Sequence, residues 1–254
     1  MTKKLSLLFG ASNALTKWLK ADLPRLPLPV GSKQVGVNTL TSDNATMCWQ
    51  VHIIDNRYKS YEKTIIACEA NSRFIFFIPV IAPLTRDELT QQLLMRWQSM
   101  LVQTLEDNQY SPTNIARSDI AVLLSKLDDF SLTIEWVKNT DRSIGGHISD
   151  AELWVKHTLR VQETLQLPDL QTNELTIYIN TIEKRVTDKA TKRKEKFIPI
   201  VRLLAYCQQI TSEATAAPPS KPELVNKSEK SENEFADISN VVNFSDYKNK
   251  KHLN

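Results

Sequence analysis

Two β-rich runs followed at once by a capped amphipathic helix, between residues 64 and 105, restrict the folds open to this chain more than any other feature. Thr64 to Glu69 and Arg73 to Val80 are joined at Ala70-Asn71-Ser72, which reads as a hairpin with Phe74, Phe76 and Ile78 on one face. Pro79 and Pro83 are expected to end that sheet segment. Thr85 and Glu88 then form a capping box, and Leu84 with Leu89 supplies a hydrophobic staple. Leu89, Leu93, Trp97, Leu101 and Leu105 recur every fourth residue along one helical face.

The remaining chain continues the mixture. Met47, Trp49, Val51 and Ile53 alternate with Cys48, Gln50 and His52, the pattern of a half-buried strand with His52 on its outer face. A second helix is expected over Ser118 to Lys126, with Asp128-Asp129 at its end, and a strand over Leu132 to Val137. Ser149 and Glu152 resemble another capping box, stapled by Ile148 and Leu153, which predicts a helix running to about Leu165. Leu175-Thr-Ile-Tyr-Ile179 reads as a further strand, and Phe197 to Ile210 is ambiguous because Pro199 interrupts it. Strands and helices alternate without a regular βαβ rhythm. The expectation is an α+β fold, with a mixed or antiparallel sheet packed against a few helices.

Residues 1–210 are expected to form one domain, and residues 211–254 a disordered polar tail. That tail holds Ala-Ala-Pro-Pro-Ser-Lys-Pro and then alternates Ser, Glu, Lys and Asn, too polar to offset the entropy of ordering. Phe235, Ile238, Val241, Val242 and Phe244 are its one apolar cluster, a candidate protein-binding segment.

Composition narrows the chemistry. Five glycines in 254 residues leave little room for phosphate-cradling loops, and neither the P-loop nor the dinucleotide order of glycines occurs. Four histidines, with no HxxxH or HExxH spacing around His147 and His157, and three scattered cysteines argue against a metal site, and no cofactor is expected. Cys48, Cys68 and Cys207 suit a reducing, cytoplasmic setting better than a disulfide framework. The apolar run from Leu5 to Ala11 is short for a secretory signal and reads as a folded segment, and no stretch is apolar enough to span a membrane. A net charge of +3 is only mildly basic, so any nucleic-acid contact must be local.

Two segments resemble a known family. Thr2-Lys3-Lys4-Leu5 and the stretch from Asn139 to Asp150, with Arg142, Ser143, Gly145 and Asp150 in matching positions, are similar to the bacterial family catalogued as domain of unknown function 6933. Gly146, His147 and Ser149 stand where that family's pattern has Ser, Met and Asn. The likeness covers roughly residues 2–165. It implies a small cytoplasmic bacterial protein from a mobile or accessory gene neighbourhood, and it supplies no catalytic residue.

Two candidate sites emerge. Arg142, Ser143, Gly145, Gly146 and His147 read as a loop before the Ser149 helix, able to receive an anion or a partner at the helix N-terminus. An enzymatic alternative uses the same loop in a phosphate-directed reaction of the ribonuclease-toxin kind. There His147 would be the acid or base, and Arg142 would stabilise the transition state. The second site is basic: Lys184, Arg185, Lys189, Lys192, Arg193, Lys194 and Lys196 fall within thirteen positions against one Asp and one Glu. As a helix this run carries one stripe of Arg185, Lys189, Lys192 and Lys196; as a hairpin it is a charged protrusion. Either form can contact DNA or RNA phosphates. The leading expectation is therefore a non-enzymatic binding or interaction module whose basic segment can contact nucleic acid, with a plain solvated loop as the equal alternative for that segment. The phosphate-directed enzyme and a protein adaptor acting through the tail are the alternatives.

Overall fold

The computed structural model describes residues 4–27, 39–107, 112–113, 115–187 and 194–212. The tail beyond residue 212, with Phe235 to Phe244, lies outside the described residues, as do Thr2, Lys3, Lys189, Lys192 and Arg193.

The fold is α+β. Strand β1 (Lys4–Ala11) leads into the short helix α1 (Asn13–Leu19), and β2 (Thr46–Asp55), β3 (Lys63–Glu69) and β4 (Ile75–Val80) follow. Helices α2 (Arg86–Glu106) and α3 (Arg117–Asp128) precede β5 (Ser131–Lys138). Helices α4 (Arg142–Val161) and α5 (Asp169–Thr181), strands β6 (Lys184–Thr187) and β7 (Lys194–Phe197), and α6 (Pro199–Thr211) complete the unit. The first five strands form one mixed sheet in the order β4-β3-β2-β1-β5, and β6-β7 is a separate hairpin. β1 runs parallel to both β2 and β5, whereas β2, β3 and β4 are antiparallel neighbours.

Helices cover both faces of the sheet. On one face Trp49 meets Phe76 at 5.2 Å and Trp97 of α2 at 6.2 Å, within a core that also takes Leu123 of α3 and Leu203 of α6. On the other face Cys48, Ile66, Cys68 and Phe77 pack against Ile144, Ile148 and Val155 of α4 and Leu175 and Ile179 of α5. This second layer corrects the half-buried reading of β2. Cys48 and Gln50 are as buried as Trp49, because α4 lies over the face that alternation assigns to solvent.

Helix α2 follows its sequence signals. The Thr85 amide donates to Glu88 Oε2 at 2.7 Å, and the Glu88 amide donates to Thr85 Oγ1 at 3.2 Å. Those bonds from Thr85 hold the Glu88 carboxyl below its usual range, even though it is exposed. Pro79 does not end the sheet. It sits within β4 opposite Thr64, and β4 is an edge strand, where a missing donor is tolerated.

Two further expectations are corrected and one ambiguity is resolved. Helix α4 begins at Arg142, seven residues before the apparent Ser149 box, with Asp141 as its N-cap. Its buried stripe of Ile144, Ile148, Ala151, Val155 and Leu159 already has helical spacing through the two glycines, and the Gly145 amide donates to the Asp141 carbonyl at 2.8 Å. Segment 175–179 is helical, not extended. The β-branched side chains there are overridden because Thr172, Leu175, Thr176, Ile179 and Asn180 form one buried stripe. Thr172 and Thr176 satisfy their hydroxyls on carbonyls four residues back, at 2.8 Å each. The ambiguous 197–210 segment resolves into Phe197 closing β7 and Pro199 opening α6, where a proline has no helical donor to lose.

The glycine pair makes the α4 correction testable. A Cβ built on Gly145 or Gly146 meets nothing within 4 Å, and neither residue has the positive φ that favours glycine. Gly145→Ala and Gly146→Ala are therefore expected to stabilise by about 0.5–1 kcal/mol each, as alanine does inside a helix. Urea unfolding midpoints check this. A loop with left-handed glycines would instead be destabilised by both changes.

Candidate nucleic-acid interface

The residues singled out between Arg142 and His147 lie on the first two turns of α4. Asp141 is 2% exposed, and its carboxylate serves three backbone donors. Oδ1 accepts from Ser143 at 2.7 Å and Ile144 at 3.3 Å, and Oδ2 accepts from Leu40 at 2.9 Å. The Asp141 amide in turn donates to Gln50 Oε1 at 2.9 Å. Gln50 Nε2 donates to the Gly10 carbonyl at 2.6 Å and the Asn139 carbonyl at 2.9 Å, which ties the ends of β1 and β5 together. The N-terminal amides of α4 are thus largely occupied by protein, so this terminus does not stand open as an anion cradle.

Ser143 and His147 face elsewhere, toward a group of cations. Arg73 Nη2 donates to Ser143 Oγ at 2.9 Å. His147 lies within electrostatic reach of Arg73, Lys184 and Arg202, and its ring meets Phe197 edge-on at 6.4 Å. Burial, then those three cations, push the His147 imidazole down to about 4, so it is neutral at pH 7. The Arg202 guanidinium lies over the same Phe197 ring, its carbon 3.7 Å from the centroid. Folding therefore joins the two candidate sites through Lys184 and Phe197. Arg142 is exposed and is not among the cations that act on His147, and Gly145 and Gly146 contribute no side chain to the group.

The basic run is a hairpin in its described part, not a helix with one stripe. Its register pairs Lys184 with Phe197, Arg185 with Lys196, Val186 with Glu195 and Thr187 with Lys194. Lys184, Val186, Glu195 and Phe197 share the face toward α4 and α6, where Glu195 pairs with Arg202. Lys184 is partly buried there; desolvation pulls its ammonium below the usual lysine range, opposed by Asp150. Arg185, Lys194 and Lys196 occupy the other, exposed face. Arg185 and Lys196 stand directly opposite one another, an arrangement that repels. Glu183 offsets it, with one oxygen 3.0 Å from Lys196 and 3.7 Å from Arg185.

Several polar residues escape sequence reasoning. Arg73 and Gln50 are buried, and neither carries a motif. Ser12 caps α1 by accepting from the Leu15 amide at 3.3 Å, and its hydroxyl lies 2.7 Å from His52 Nδ1. That hydrogen bond gives His52 the structural role that alternation allows it, and burial lowers its basicity. His157 lies on α4, and Asp128-Asp129 closes α3. Cys48, Cys68 and Cys207 are buried thiols, with burial pushing Cys68 up to about 12. Among the described residues no group of three His, Cys, Asp or Glu side chains is placed to hold a metal ion. No helix among them is long and apolar enough to cross a membrane.

No protein-family model, no curated protein and no solved structure matches this chain.

Proposed function

We propose that this protein is a non-enzymatic binding module that contacts the phosphate backbone of DNA or RNA through the outer face of the β6–β7 hairpin. The observation that carries the reading is the placement of Arg185, Lys194 and Lys196 on one exposed face, with Arg185 and Lys196 directly opposed. Like charges set side by side on a two-stranded hairpin cost stability; Glu183 offsets part of that cost with one carboxylate, and phosphates between the strands would offset more. Lysines on a free strand also discourage edge-to-edge pairing, a role that asks for no ligand. No aromatic side chain shares the outer face among the described residues, so contact is to backbone rather than to stacked bases. A role in a bacterial accessory element, as the likeness of residues 2–165 to the uncharacterised family implies, accords with such a module.

The test is a titration of labelled duplex DNA and single-stranded RNA at several salt concentrations. Affinity is expected to fall linearly in log–log coordinates and to depend little on sequence. Absence of salt-dependent binding to either polymer removes the reading.

One observation favours a second reading, a phosphate-directed enzyme. His147 is neutral at pH 7 and within electrostatic reach of three cations, so its imidazole can accept a proton beside a phosphate, as a weak base. Among the described residues the groups acting on its charge are all cations, with no carboxylate to serve as a second acid or base. Cleavage of either polymer that is lost in His147→Gln supports this alternative over simple binding.

A further inference from the structure

Arg73 sits in the turn between β3 and β4 with a φ of 61°, and it is 9% exposed. A buried guanidinium is normally matched by a carboxylate, because stripping its water without a counter-charge is costly. Among the described residues Arg73 makes no ion pair; its Nη1 donates to the Ala70 carbonyl, its Nη2 to Ser143, and its Nε has no partner. The buried carboxylate of the same turn, Glu69, directs its oxygens to Ser42, Asn71 and Ser72 instead. Two more cations, Lys184 from β6 and Arg202 from α6, act with Arg73 on His147 of α4, and Phe197 links them: it stands opposite Lys184 in register, 3.7 Å from the Arg202 guanidinium carbon and 6.4 Å from the His147 ring.

We infer that Arg73, Ser143, His147, Lys184 and Arg202 form a binding site for a tetrahedral oxyanion, the phosphate group being the biological ligand. This deepens the nucleic-acid reading, since the site lies under the inner face of the hairpin whose outer face holds Arg185, Lys194 and Lys196. Guanidinium and ammonium donors from three separate elements, with the Ser143 hydroxyl of α4 beside them, suit an oxyanion, which needs donors around its whole surface. The acids nearby are already engaged: Asp150 acts on Lys184, and Glu195 pairs with Arg202. The buried carboxylates of Glu69 and Asp141 are taken up by serine and backbone donors, so Arg73 is left without a carboxylate in direct contact among the described residues.

The site predicts a coupling between anion and proton. An imidazole depressed by burial and three cations regains a proton more readily once an oxyanion neutralises those cations. Folding alone works the other way. With the folded value near 4 and the unfolded value near 6.5, stability falls as pH drops through that window. A bound anion offsets the loss, so anion stabilisation grows toward acid pH.

The experiment follows the His147 ring proton by NMR across pH, its signal assigned by its absence from His147→Gln. Sodium sulfate is the probe against sodium chloride at equal ionic strength, because sulfate does not titrate in this range. The expected result is a titration midpoint at least about one pH unit higher in sulfate. Arg202→Gln should shrink that difference severalfold, and Lys194→Gln, on the outer face, should leave it intact. An unchanged His147 midpoint in sulfate overturns the site. A short oligonucleotide with and without a 5′-phosphate separates the sources: a shift only with the 5′-phosphate assigns a monoester, and an equal shift with both assigns the backbone. Sulfate moving His147 while no oligonucleotide binds upholds the anion site and removes the nucleic-acid reading. Oligonucleotide binding without any movement of His147 in sulfate or oligonucleotide does the opposite.

Discussion

Asp141→Ala is expected to lower the unfolding free energy by about 3 kcal/mol, one of the two largest effects of any single polar substitution in this chain. The reason is the sharing of one buried carboxylate among Ser143, Ile144 and Leu40, whose amides sit at 2.7, 3.3 and 2.9 Å from it. Loss of an N-cap costs about 0.5–2 kcal/mol, and stranding the buried Leu40 donor adds about 1–3 kcal/mol. Asp141→Asn keeps the capping oxygen and turns an amide toward Leu40, so about half the loss is expected. Chemical denaturation with matched m-values measures both. A loss below about 1 kcal/mol in the alanine variant would mean that α4 does not start at Arg142.

The second large effect is expected at Glu69, which is fully buried at the end of β3. One of its oxygens accepts from the Asn71 amide at 3.0 Å and from the Ser72 amide and hydroxyl at 2.6 Å each, and the other accepts from Ser42. Ser42 in turn receives the Cys48 amide at 2.9 Å, so the carboxylate joins the β3–β4 turn to β2. Glu69→Ala leaves two turn amides without an acceptor and is expected to cost about 3 kcal/mol or more. Glu69→Gln keeps one oxygen for the turn, and its amide can donate to Ser42, so a loss below about 1.5 kcal/mol is expected. The Gln-versus-Ala contrast in urea midpoints separates hydrogen-bond geometry from charge. Equal losses in the two variants would show that the charge itself is required.

The two variants act on regions that the sequence reveals unequally. The Thr85–Leu105 helix is legible because capping, staple and apolar period agree over twenty residues. The hairpin around Ala70-Asn71-Ser72 is legible because two β-rich runs meet at turn residues. Local and tertiary terms conflict elsewhere. Gly145 and Gly146 disfavour a helix locally, and Ser149 with Glu152 imitates a start, yet the stripe from Ile144 to Leu159 finds a sheet face to cover. Leu175 to Ile179 is rich in β-branched side chains, but Asn180 at the end of α5 bonds both the amide and the carbonyl of Ile75, filling the open edge of β4.

The candidate site divides in the same way. The density of cations from Lys184 to Lys196 is visible as composition, and a hairpin is one of the two forms it allows. Which cations face outward depends on strand register, which composition does not contain. Arg73 and Gln50 are invisible because their significance is burial. A turn arginine and a strand glutamine read as solvated until α4 is laid over them. His147 is legible as a residue worth naming. Its neutral state depends on burial first and then on Arg73, Lys184 and Arg202, which lie far from it in sequence.

The nucleic-acid reading meets its most direct test in the triple variant Arg185→Gln, Lys194→Gln and Lys196→Gln, compared with wild type on one duplex across a salt series. Each phosphate contact on B-DNA contributes about 0.9 to the slope of log affinity against log salt, so losing three should make the slope shallower by about 2.7. Affinity at low salt should fall on the order of tenfold or more, to a similar extent on unrelated sequences. Gly146→Ala serves as the folded control and should bind as wild type does. A triple variant that folds normally and keeps both the affinity and the slope of the wild type would contradict the account.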